Sequence, residues 1–259
     1  MPPIEKLFRG ILKFQSTVKG EYMQSINNIK GKLSPPVLFV SCMDSRVLPT
    51  RFCQSDPGDM VLIRSAANVI SRSEGHLIGQ PNTDAVGLEL AIKLQGVRHI
   101  VVCGHADCKA ITVIQDLQAN VAGGEFSRDT EPFSSWWRGV ATTSLAKLQT
   151  MHNNPGQPVR FAALGQPNVM EAFIDPENKL NPVDKLSQLN TLQQLENLWT
   201  HDIVREKLLA KKLILHAMWF DVRAGNVFLF SQKRKRFIEV CDKELPNLEE
   251  LVLAKYYDW

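Results

Sequence analysis

His99-Ile100-Val101-Val102-Cys103, followed at once by Gly104 and His105, is an apolar run that stops on a glycine and an imidazole. A run without polar alternation is a strand buried on both faces, the pattern of a parallel sheet. Outward from it the same pattern repeats. Upstream, Asn82-Thr83-Asp84 offers N-caps for a helix through Val86, Leu90, Ala91 and Leu94, with its stop at Gly96. Before that helix, the turn Asp56-Pro57-Gly58-Asp59 introduces the strand Met60-Val61-Leu62-Ile63, and the break Ser34-Pro35-Pro36 introduces Val37-Leu38-Phe39-Val40. Strands alternating with crossover helices predict an α/β fold around a mostly parallel central sheet. Cys42 then falls just past one strand and His105 just past another. Active sites in open α/β sheets lie at those carboxyl ends, where the strand order reverses.

Downstream, Ile111 to Gln118 reads as a helix, 120–135 as a loop and Trp136 to Met151 as another helix. The stretch 153–187, punctuated by five prolines, reads as a surface excursion with one short strand over Val159–Ala163. A long helical pattern covers about 188–210. Leu213 to Val222 and Val227 to Phe230, hinged at Ala224-Gly225-Asn226, predict a hairpin that adds an antiparallel edge strand. Ile4, Leu7, Phe8, Ile11, Leu12 and Phe14 among basic residues form an amphipathic N-terminal helical arm, residues 1–30. No linker, repeat or low-complexity tract divides the chain, so 1–259 reads as one domain.

Composition narrows the function. Of 259 residues 44% are hydrophobic and 22% charged, ordinary for a globular protein. No apolar run approaches the roughly 20 residues of a membrane-spanning helix, and Lys6, Arg9 and Lys13 interrupt any secretory signal. A net charge of +3 is too small to argue for nucleic acid, and Lys233-Arg234-Lys235-Arg236 has no aromatic interleaving, so it reads as a solvated turn. Five cysteines, an odd number, speak against a disulfide framework and for an intracellular setting. The basic arm suits either mitochondrial import or, for a cytoplasmic protein, docking on a neighbouring subunit.

The chemistry lies in Cys42-Met43-Asp44-Ser45-Arg46 and His105-Ala106-Asp107-Cys108. Free cysteines are commonly packed as small hydrophobes, and His-x2-Cys alone is a weak signal. Its force comes from the second segment, because Cys42, His105 and Cys108 all reach one edge of the predicted sheet. Two thiolates and one imidazole make a zinc site with its fourth position open, the catalytic rather than the structural pattern. Asp44 is placed to orient zinc-bound water, and Arg46 to hold that carboxylate ionised. Asp107 is expected to be solvated or to cap a helix. Cys103 is expected to be buried, and nothing singles out His76, His99, His152, His201 or His216 as a proton shuttle.

The runs Val40–Val47 and Val101–Cys108 resemble the β-class carbonic anhydrases, and Pro176–Asn197 with His216–Asp221 resembles their animal branch. The resemblance covers nearly the whole chain after the arm. It implies Zn2+ on Cys42, His105 and Cys108, an Asp44–Arg46 dyad, reversible hydration of carbon dioxide to bicarbonate and a proton, and homodimers or homotetramers. Hydrolysis of carbonyl sulfide or carbon disulfide at the same zinc, or a non-catalytic zinc-stabilised binding protein, are the alternatives. Several positions depart from the family pattern. Arg64-Ser65-Ala66-Ala67-Asn68 stands where many members have Arg-Asn-Ala-Gly-Asn, Ala106 and Lys109 where Ser and Gly are common, and Leu33 where many relatives supply a glutamine donor.

Overall fold

The computed structural model describes residues 3–73, 83–122, 132–244 and 246, with backbone alone for 3, 117–122 and 132–139. His76, the expected cap at Asn82 and most of the expected 120–135 loop lie outside the described residues.

The apolar runs become strands β1 (Val37–Cys42), β2 (Met60–Ser65) and β3 (His99–His105). They lie parallel, with β1 between the other two: Val40 pairs with Ile63 on one side and with Val102 on the other. From β1 the chain therefore steps to one side for β2 and to the other for β3. The strand order reverses at β1, and Cys42 and His105 end neighbouring strands beside that crevice.

The fourth parallel strand, β6 (Ile214–Asp221), pairs with β3 so that Gly104 faces Trp219 and His105 faces Phe220. The antiparallel edge holds two strands, β7 (Asn226–Ser231) and β8 (Arg236–Glu239), rather than the expected one. Lys233, Arg234 and Lys235 form the expected exposed turn, and strand β8 begins at the last residue of the basic run, Arg236. That run is neutralised within the chain: Arg234 pairs with Glu244 at 3.2 Å, Lys235 with Glu171 at 2.8 Å and Arg236 with Glu177 at 2.7 Å. A separate two-stranded sheet joins β4 (Val159–Phe161) to β5 (Met170–Ala172), so the short strand expected near 159–163 has a partner.

Among the helices, α1 (Pro3–Ser16) and α2 (Lys19–Asn28) form the arm. After them come the short α3 (Pro49–Phe52), α4 (Thr83–Glu89, continued by a π-helical stretch Leu90–Leu94), α5 (Lys109–Ala122) and α6 (Pro132–Asn153). The long helix expected over 188–210 is two helices, α7 (Pro182–Trp199) and α8 (Asp202–Leu209). The break has a cause. The Thr200 hydroxyl turns back to the Asn197 carbonyl at 2.7 Å and accepts from the Ser73 N–H at 2.9 Å, while His201 Nε2 bonds the Ser71 carbonyl at 2.8 Å. Helix α7 also starts six residues earlier than the pattern suggested. Asn181 accepts from the Asp184 N–H at 2.9 Å and Pro182 takes the first helical position, a favourable N-terminus.

Helix α7 lies in the core, and every residue from Leu186 to Trp199 is buried. Leu186, Leu189, Leu192, Leu195 and Leu198 face the hydrophobic core. Its polar residues are buried too, and each needs a partner, since an unmade buried hydrogen bond costs about 1–3 kcal/mol. They find partners in the irregular chain after β2. Gln194 accepts from the Ile70 N–H, Asn197 donates to the Ile70 carbonyl, and Asn190 donates to the Ala67 carbonyl, each at 2.9 Å. The side chains of one helix thus satisfy backbone that has no ladder of its own.

The arm behaves differently. Ile4, Leu7, Phe8, Ile11 and Leu12 stay exposed, Phe8 at 57% and Leu12 at 67%. No described helix is long and apolar enough to cross a membrane.

Candidate metal centre

Cys42 is the last residue of β1, His105 the last of β3, and Cys108 closes the turn that leads into α5. All three are buried, and their ligand atoms lie within 4.8 Å of one another. The two sulfurs are 3.9 Å apart. His105 Nδ1 donates to the Ala106 carbonyl at 2.8 Å, which fixes the tautomer and leaves the Nε2 lone pair free. That Nε2 is buried with no hydrogen-bond partner. A buried nitrogen aimed at two thiols without a donor of its own is what a thiophilic cation would satisfy.

The thiols point the same way. The Cys108 S–H and the nearby imidazole pull the Cys42 thiol down to about 4, against the opposing effect of burial. The neighbouring Cys42 sulfur, and then burial, push Cys108 up. Two thiolates side by side repel, and a divalent cation held between them would offset that repulsion.

Backbone bonds hold the two ligand segments in place. The Arg64 guanidinium donates to the carbonyls of Cys42 at 3.0 Å, Asp44 at 2.8 Å and Val47 at 2.7 Å, which clamps the loop after β1. The Ser187 hydroxyl of α7 donates to the His105 carbonyl at 2.7 Å and accepts from the Trp219 indole at 3.1 Å. Ala106 donates its N–H to the Phe220 carbonyl at 2.9 Å, extending the sheet past the ligand.

Beside the sulfurs, Asp44 takes a forked pair of bonds from Arg46: Nε to Oδ1 at 3.0 Å and Nη2 to Oδ2 at 2.8 Å. The Arg46 guanidinium holds the Asp44 carboxyl down to about 2, so it is charged throughout the neutral range. Asp107 is partly solvated, as expected, but it also has a partner that the expectation did not include. Its backbone is left-handed, with φ 51°, and its carboxylate turns back to accept from Arg46 Nη1 at 2.7 Å. Arg46 lies 61 residues away in sequence, and no local pattern marks the pair. Sequence reasoning also missed Arg64, Asp184 and Arg223. Asp184, fully buried at the start of α7, accepts the Asp107 N–H at 2.8 Å and pairs with the Arg223 guanidinium.

The other titratable candidates lie elsewhere. His99 and His216 touch through Nδ1 and Nε2 at 3.1 Å, with His99 at the opposite end of β3 from His105, and burial lowers His216 to about 4. Cys103 is buried, as expected, Cys53 is half-buried and Cys241 exposed. Leu33, at the position where relatives were expected to carry a glutamine, is exposed.

The carbonic anhydrase family profile matches residues 37–227. β-Carbonic anhydrase 1 of Caenorhabditis elegans is 37% identical over 257 residues, 98% of this chain and 94% of that protein. A carbonic anhydrase of Pseudomonas aeruginosa is 27% identical over 90% of both chains. In fold, the chain superposes on the β-carbonic anhydrase CcaA with a TM-score of 0.71 at 20% identity, covering 93% of each chain. The chain belongs to the carbonic anhydrase family, in its β class. The α/β architecture expected from the paired strands is that of its structural neighbours.

Proposed function

We propose that Cys42, His105 and Cys108 hold a zinc ion and that the protein interconverts carbon dioxide with bicarbonate and a proton. The observation that carries this reading is the unpartnered His105 Nε2 facing two buried sulfurs, with an ionised aspartate alongside. Zinc bound by three such ligands would lower the pKa of a water from 15.7 to ~7 and so supply hydroxide at neutral pH. The chain's own groups do the rest. Asp44 accepts a hydrogen bond from the attacking water and so aims a lone pair at the carbon of CO2. Arg46 keeps Asp44 charged and turned by its two-pronged grip. A purely structural zinc site would have no use for that pair. The purified protein is expected to carry about one zinc per chain and to speed CO2 hydration in a stopped-flow indicator assay. Zinc-loaded protein that hydrolyses carbonyl sulfide or carbon disulfide but leaves CO2 untouched would overturn the choice of substrate.

Arg46→Ala tests the dyad. Residues that support a metal site from outside its ligand set typically change affinity or activity roughly 10–100-fold. The variant should lose at least ~10-fold in kcat with its zinc intact. Parallel loss of zinc and activity would make Arg46 a folding residue instead.

The exposed apolar face of α1 supports an assembly of identical chains, dimer or tetramer, in which a neighbour covers it. Deleting residues 1–20 should lower the sedimenting mass or bring aggregation. An unchanged, fully active particle would point to a removable import sequence.

A further inference from the structure

We propose that Asp107, braced from behind by the buried Asp184–Arg223 pair, is a positioning residue that fixes Arg46 and through it the orientation of Asp44. The inference rests on the role given to Asp44 and Arg46 above. Those two residues sit two apart on one loop. Arg64 holds that loop by its backbone carbonyls, whereas the Arg46 guanidinium takes its own further anchor from the other ligand segment. Arg46 gives Nη1 to Asp107 Oδ2 at 2.7 Å and Nη2 to the Asp107 carbonyl at 2.9 Å, while Nε and the other Nη2 hydrogen serve Asp44. The guanidinium is thereby held from two sides by two loops.

Asp107 meets Arg46 from a left-handed backbone, a conformation that costs a side-chain-bearing residue free energy even where, as for Asp, it is tolerated. It is held there by Asp184. Its Oδ1 accepts the Asp107 N–H at 2.8 Å, and its Oδ2 accepts from Asn181 Nδ2 at 2.9 Å and from the Arg223 guanidinium. Arg223 leans in turn on Asp221 at 3.3 Å. A fully buried carboxylate persists when countercharge and the N-terminus of an 18-residue helix compensate it, and Asp184 has both. Two acid–base–acid triads, Asp44–Arg46–Asp107 and Asp184–Arg223–Asp221, joined by the Asp107 N–H, thus link the loop after β1 to the loop after β3, the start of α7 and the β6–β7 hairpin.

The exposure of the Arg46–Asp107 pair decides what it is for. The two side chains are 42% and 43% exposed, and ion pairs so wetted add little to stability. Orientation is another matter, because a misplacement of about 1 Å at a reacting group can cost up to ~100-fold in rate.

Asp107→Gly is the informative variant: it keeps the left-handed turn, the N–H to Asp184 and the carbonyl, and removes only the carboxylate. We expect melting temperature and zinc content near those of the natural protein, with kcat down about fivefold to tenfold and KM little changed. If Asp107 acts through Arg46, Asp107→Gly costs nothing further in an Arg46→Ala background. An equal loss in both backgrounds, or no loss in either, overturns the proposal. A second readout does not depend on turnover. In 15N spectra the Arg46 Nε–H signal, assigned by its absence in Arg46→Ala, should exchange with solvent about tenfold faster in Asp107→Gly. Unchanged exchange would overturn the positioning role even in an active enzyme. Zinc-loaded natural protein without CO2 hydration would instead sink the proposed function, and the exchange measurement would still decide on Asp107.

Discussion

Cys42→Ala and His105→Ala should each empty the metal centre and bring CO2 hydration down to the uncatalysed rate. The reason is the ligand count. Three protein groups are the fewest that catalytic zinc sites ordinarily use, and removing a thiolate or the imidazole leaves two. With no cation there is nothing to ionise water near pH 7, so Asp44 and Arg46 would orient a water that remains a poor nucleophile. The fold should survive the change. Cys42 has the Arg64 guanidinium on its carbonyl, and His105 has the Ser187 hydroxyl on its own, and neither bond involves the side chain that is lost. Elemental analysis should fall from about one zinc per chain to near zero, with the circular dichroism spectrum of the natural protein retained. A folded Cys42→Ala protein holding stoichiometric zinc and hydrating CO2 at the natural rate would remove Cys42 from the centre.

Gly104→Ala should be among the most destabilising single-methyl additions in this chain. A Cβ built on Gly104 would lie 2.0 Å from Thr191 Oγ1 and 3.3 Å from Trp219 Cδ1. Neither neighbour can retreat cheaply. The Thr191 hydroxyl is bonded to the Ser187 carbonyl at 2.8 Å, and both residues are buried. Overpacking of this kind costs typically ~1–3 kcal/mol. For a chain of this size that corresponds to a melting temperature lower by roughly 3–10 °C. The rate should fall as well. Pushing α7 off β3 loosens Ser187 from the His105 carbonyl and Asp184 from the Asp107 amide. Thr191→Ala placed in the same chain should recover more than half of the lost stability, since it removes the atom in the way. A melting temperature unmoved by Gly104→Ala would mean that helix and strand are not packed this closely.

The strands and the two ligand segments were legible because their signals are local. Val37–Val40, Met60–Ile63 and His99–Cys103 are apolar without alternation, and the groups that end them are chemically distinctive. The hairpin at Ala224–Asn226 was legible for the same reason. Contacts across long stretches of chain were not. Asp107 read as a loop aspartate because its partner Arg46 is 61 residues away, and Asp184 read as part of a surface excursion although it is fully buried. The polar residues of α7 hid its depth, for a helix rich in Gln and Asn looks solvated until the backbone it serves is known. One miss had a signal. Asn181-Pro182 is a good helix start that the surrounding prolines disguised as punctuation.

The dependence of the chain around 67–73 on α7 also bears on the order of events during synthesis. Residues 42, 105 and 108 leave the ribosome well before residues 187–197, which bond backbone 82 to 127 positions earlier. Until that helix emerges, the sheet has no cover on the face it occupies, and the Ile70 N–H and carbonyl have neither of their side-chain partners. Assembly of the reaction centre is therefore a late step for the nascent chain, set by the slow closure of distant contacts. Ribosome-bound chains that stop short of α7 would present two thiols and an imidazole, buried in the finished protein, to adventitious metals and oxidants.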